Sequence, residues 1–125
     1  MEKLNIEPTT DSPLIQFNPD IGSFKIEGKS YPEDTVDLYL PVIEWLDEYI
    51  ENPLPKTTLS IKLDYFNSSS YKALLNIMMK LEQAKTNSSK VFVEWHYSPK
   101  DKDMKEAGEE FEELVELPFV FVERG

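Results

Sequence analysis

The chain has 125 residues, of which 24 are acidic and 13 basic, so its formal charge near neutral pH is −11. That excess argues against binding nucleic acid or direct binding to an anionic membrane, because either needs a basic footprint. The absence of cysteine excludes disulfides, thiolate nucleophiles and every cysteine-containing metal site.

A hydrophobic content of 40%, with 12% aromatics, supports one packed domain over residues 1–125 whose charged residues form a solvated surface. The opening MEKLNIEPTT has one Lys and no apolar core, and no stretch approaches the roughly 18 apolar residues of a membrane span. A cytoplasmic protein is therefore expected. Asn67-Ser68-Ser69 and Asn87-Ser88-Ser89 match the glycosylation sequon, but no secretion signal accompanies them.

In chain order, three short extended pieces come first: Leu4 to Glu7, Leu14 to Phe17 and Ser23 to Glu27, separated by prolines and Gly22. Phe24 and Ile26 alternate with Ser23, Lys25 and Glu27, and Asn18-Pro19-Asp20-Ile21-Gly22 reads as the turn of a hairpin. Ser30 and Glu33 have capping-box spacing with Pro32 between them, which predicts a helix from Ser30 to near Asn52-Pro53. One arc of that helix carries Val36, Tyr39, Leu40, Ile43, Leu46 and Ile50; a second carries Leu38, Val42, Trp45 and Tyr49. Apolar side chains thus cover more than the usual stripe, so the second arc is read either as packing on another helix or as a partner-binding surface. Pro41 predicts a kink or break within the helix.

From Thr58 to Phe66, Leu59, Ile61, Leu63 and Tyr65 alternate with Ser60, Lys62 and Asp64, which predicts a strand with one buried face. A second helix follows Asn67-Ser68-Ser69-Ser70, with its seam on Tyr71, Leu74, Leu75, Ile77, Met78 and Leu81. Val91 to Tyr97 reads as a strand. Met104 to Val115 reads as a third helix with Met104, Ala107, Gly108, Phe111, Leu114 and Val115 inward, and Pro118 to Val122 as a last strand. The order β-β-β-α-β-α-β-α-β describes an α/β fold: a mixed open β-sheet with packed helices, parallel except at the N-terminal hairpin.

Conventional catalysis has little support. The single His, His96, lies within a strand, so no His pair exists to bind a metal, and the glutamates at 109, 110, 112, 113 and 116 string along one helix as a solvated face. A hydrolase or transferase would need acids converging from separate elements. Four scattered glycines make no phosphate loop, and no cofactor is expected.

Asn67-Ser68-Ser69-Ser70 is different, because it lies where a strand hands over to a helix. Capping by Ser68 or Ser69 accounts for it simply. The alternative is a phosphorylation site, since a phosphoryl group there meets unpaired backbone N–H groups and the positive end of the helix dipole.

Tyr65-Phe66-Asn67-Ser68-Ser69-Ser70 with Lys72 resembles the phosphorylation segment of the SiaC family of bacterial regulatory phosphoproteins. Ser30-Tyr31-Pro32-Glu33, Tyr39, Pro41-Val42, Trp45-Leu46, Val93, Trp95-His96-Tyr97, Gly108-Glu109-Glu110 and Pro118-Phe119 agree with it in order along the chain. The resemblance implies a fold similar to STAS-type anti-sigma-factor antagonists and a partner-switching function. It places the phosphoacceptor on Ser68, with Ser69 and Ser70 as alternates and Asn67 and Lys72 as supporting residues. It further implies a serine/threonine kinase with a histidine-kinase-like ATPase fold, a PP2C-type phosphatase, and a diguanylate cyclase that the unphosphorylated form binds and activates, raising cyclic di-GMP. The alternative effector is an anti-sigma factor, with control of transcription.

Overall fold

In the computed structural model, which describes residues 1–124, six strands and three helices follow one another as β1 (Leu4–Ile6), β2 (Leu14–Asn18), β3 (Ser23–Ser30), α1 (Thr35–Tyr49), β4 (Lys56–Phe66), α2 (Ser68–Thr86), β5 (Lys90–Tyr97), α3 (Lys102–Leu114) and β6 (Phe119–Glu123). The strands lie in the sheet in chain order, antiparallel from β1 to β3 and parallel from β3 to β6. The mixed α/β sheet with an N-terminal antiparallel edge is thus the expected one.

Each parallel crossover moves one strand further in the same direction, so right-handed connections put all three helices on one face. Burial agrees: Leu59, Ile61 and Leu63 of β4 and Val91, Val93 and Trp95 of β5 share one core with Leu46, Leu74, Ile77 and Phe111 of the helices. The opposite face, with Lys25, Ser60, Lys62, Glu94, His96 and Val120, has no helix over it among the described residues.

Three local expectations are corrected. Ser30 does not cap the first helix: β3 runs on through Ser30, which pairs with Phe66, and Asp34 caps α1 by accepting the Asp37 N–H at 3.0 Å. The break allowed for at Pro41 is also absent: α1 runs on through it, with Pro41 and Asp37 both on its solvent side, where the carbonyl left without a donor is open to water. Leu114 is 58% exposed, not inward, because α3 ends there and the chain turns to bury Val115 and Leu117 instead.

Strand β4 holds the fourth departure. Gly28 faces Leu63 but Lys29 faces Tyr65, so Asp64 is an extra residue in β4, a bulge. Beyond it the alternation changes phase: Tyr65 turns outward, 52% exposed, and Phe66 turns in against Trp95 and Phe111.

Candidate functional site

Helix α2 begins directly after the bulged end of β4. Asn67 is extended in backbone and its side-chain oxygen accepts the Ser70 N–H at 2.9 Å, so the cap is Asn67 and not Ser68 or Ser69. The Asn67 N–H in turn donates to the Ser30 carbonyl at 3.0 Å, tying the cap to β3. Ser68, Ser69 and Ser70 therefore occupy the first helical turn, and the N–H groups of Ser68 and Ser69 precede the first intrahelical bonds.

The three serines differ in environment. Ser68 and Ser69 point to solvent, whereas Ser70 is fully buried, its hydroxyl 2.7 Å from that of Ser30. Ser30 Oγ is also 2.7 Å from the Tyr39 hydroxyl, so one buried hydroxyl node joins β3, α1 and the first turn of α2. Burial raises the Tyr39 phenol pKa from its ordinary 10.0, with hydrogen bonds from the Ser30 and Ser70 hydroxyls pulling the other way.

A matching node stands at the other end of α1. The Tyr49 hydroxyl is 2.7 Å from Thr57 Oγ1, which is 2.8 Å from Ser89 Oγ. The two tyrosines are ten residues apart, about 15 Å along the helix, so α1 is clamped near both ends.

Two depressions flank the start of α2. One, of about 350 Å³, is lined by Phe66, Asn67, Ser68, Tyr71 and Lys72. Burial, and then the charge of Glu110, raise the Tyr71 pKa, and its ring stacks on Phe111 at 4.5 Å. The other, of about 420 Å³, is a groove between α1 and α2 with Val36 and Leu40 on one wall and Ser69, Lys72 and Asn76 on the other. Lys72 borders both. Glu33 and Asp34 also line the groove, and an ion pair between Lys80 and Asp47 at 2.6 Å joins α1 to α2.

The second arc of the first helix is not a free surface. Val42 is 0% and Tyr49 3% exposed, while Leu38 and Trp45 are half-buried against the core, Trp45 edge-on to Phe17 and Phe24 at 5.5 and 5.2 Å. The arc packs on the β2–β3 hairpin, which extends the sheet beneath α1. The apolar residues that α1 leaves uncovered are Val36 and Leu40, 72% and 52% exposed, which the periodicity assigned to the core.

His96 lies on the uncovered sheet face, its Nε2 3.2 Å from Ser60 Oγ and 3.7 Å from Glu94 Oε1. Acid and hydroxyl meet the same ring nitrogen, so the trio lacks the geometry of a relay, in which they take opposite nitrogens.

Residues 6–124 match the family model described as SiaC family regulatory phosphoprotein. An uncharacterised protein of Pseudomonas aeruginosa strain UCBPP-PA14 is 34% identical over 119 residues, covering 95% of this chain and 94% of that one. The crystal structure of apo-SiaC from Pseudomonas aeruginosa superposes with a TM-score of 0.87 at 33% identity, covering 98% of this chain and 99% of that one. The SiaC structure in which the diguanylate cyclase SiaD is in complex with its activator SiaC gives 0.89 at 32% identity, over 97% and 99%. The fold, the handover from β4 to α2 and the match along nearly the whole length agree: this chain belongs to the SiaC family of regulatory phosphoproteins.

Proposed function

We propose that the chain acts as a single, non-enzymatic, cytoplasmic domain of residues 1–125 whose phosphoacceptor is Ser68, and that its unphosphorylated form binds and activates a diguanylate cyclase. A serine/threonine kinase with a histidine-kinase-like ATPase fold adds the phosphate and a PP2C-type phosphatase removes it. The observation that carries the reading is the likeness, at a TM-score of 0.89, to a SiaC solved in complex with the cyclase it activates.

The local geometry supports Ser68. Its hydroxyl is open to a kinase, whereas that of Ser70 is enclosed in the Ser30–Tyr39 node. Phosphate on Ser68 adds about −1.5 to −2 charge at the positive end of α2, one turn from Lys72. Both contacts stabilise the modified state without refolding, so the change falls on the partner's contact surface.

The test is incubation with the cognate kinase and ATP, followed by mass mapping. Phosphate on Ser68, lost in Ser68→Ala, is expected; phosphate on Ser69 alone would move the acceptor, and none on α2 would remove the switch. Ser68→Ala protein is expected to activate the cyclase in the presence of kinase and ATP, and Ser68→Glu to activate it poorly.

A further inference from the structure

Strand β6 closes the sheet on one side, and no other element among the described residues pairs with its outer edge. The Pro118 carbonyl accepts the Val93 N–H at 2.9 Å, and the Arg124 N–H donates to the Tyr97 carbonyl at 2.8 Å. In a parallel ladder alternate residues bond to alternate sides, so Pro118, Val120, Val122 and Arg124 face β5. The N–H and C=O groups of Phe119, Phe121 and Glu123 point outward, away from the sheet. Edges that stay single carry a lysine, a proline or an inward charge, and Phe119-Val120-Phe121-Val122 has none of these. The opposite edge, β1, is only three residues long.

We propose that β6 pairs antiparallel with β6 of a second copy of this chain about a two-fold axis at Phe121, joining two sheets into one. The outward groups lie symmetrically about Phe121, so this register sets Phe121 against its own copy and Phe119 against Glu123, and each outward N–H of one strand meets a carbonyl of the other.

The side chains fit the same register. Val120, 49% exposed, comes opposite Val122 of the second copy on the uncovered face, where the two side chains approach most closely. The two Phe121 rings meet on the helix-covered face, and no like charges oppose each other from Pro118 to Arg124. Each copy carries −11, so repulsion opposes the pairing and added salt strengthens it. Strand β6 is two places from β4 in the sheet, so Ser68 stays open on both copies.

The test is sedimentation equilibrium of the full chain up to about 1 mM at low and high salt, with Val120→Lys and Ile21→Lys beside the parent. Both positions are exposed and both variants make the same change in charge, and thermal melts check the folding. The parent is expected to dimerise more tightly at high salt. Val120→Lys should weaken dimerisation by about tenfold or more although it lowers the repulsion, while Ile21→Lys, on the β2–β3 turn, should not. A second measurement uses the absence of native cysteine. Phe121→Cys places two thiols on residues about 5.5 Å apart at Cα, within reach of a disulfide, whereas in Glu123→Cys they are about four residues, or 14 Å, apart along the strand. Oxidation should therefore link the first and not the second. A parent that stays monomeric throughout, or Val120→Lys dimerising as the parent does, overturns the pairing; linkage through Cys at 123 and not at 121 overturns the register.

Discussion

The hydroxyls of Ser30 and Ser70 are 2.7 Å apart although 40 residues separate them in the chain, so the last residue of β3 holds the first turn of α2. The Tyr39 hydroxyl completes the node from α1. Ser30 is the centre, bonded to both of the others. Ser30→Ala leaves two buried hydroxyls without that partner and is expected to destabilise by about 1–3 kcal/mol. A lowered urea midpoint at unchanged m-value checks it.

The same node sets a response to alkali. In the fold the Tyr39 phenol keeps its proton above 10.0, whereas in the unfolded chain it ionises near that value. The folded state then binds more protons than the unfolded one, so stability is fully present below pH 10 and falls as pH rises from there through the raised folded value. Tyr39→Phe has no proton to lose and should show a shallower decline above pH 10, measured as melting temperature against pH beside the parent.

Gly108 lies against the indole of Trp95. A Cβ at Gly108 would stand 2.5 Å from the Trp95 ring, while Trp95 Nε1 donates to the Met104 carbonyl at 2.9 Å and so cannot swing aside without losing that bond. Gly108→Ala is expected to cost about 1–3 kcal/mol. Altered near-ultraviolet circular dichroism with unchanged helix content would show that the loss is in the Trp95 packing.

Val42 tests the packing of α1 on the sheet. It is wholly buried, so Val42→Ala removes two buried methyl groups and opens a small cavity, a loss of about 1.5–3 kcal/mol. Its effect should appear as a lowered denaturation midpoint at an unchanged m-value.

How much of this was legible in the residues depends on the range of the interactions. Periodicity places all nine elements and the mixed sheet, because burial on one face needs period 2 in strands and period 3.6 in helices. Asn67 to Ser70 stands out as a handover by composition alone. Its phase does not: the Asp64 bulge depends on pairing with Gly28 and Lys29, some 35 residues away, and it exchanges Tyr65 for Phe66 on the inner face. Ser30 reads as a cap by local spacing, yet its hydroxyl is committed to partners 9 and 40 residues distant. On α1 the apolar surface is wide enough for two arcs, and the β2–β3 hairpin chooses which one the core takes. That choice leaves Val36 and Leu40 facing outward.

Strand order equal to chain order has a mechanical consequence. With β1 and β6 at opposite edges of six strands spaced about 4.8 Å apart, handles at Leu4 and Glu123 are separated across the sheet, and tension between them acts across the strands. Such a load peels one strand at a time from either edge, opening hydrogen bonds in succession and not in concert. Strands β3, β4 and β5, which frame the Ser30–Ser70 node and the start of α2, are the last to separate, so the handover from β4 to α2 is the part of the molecule best shielded from force.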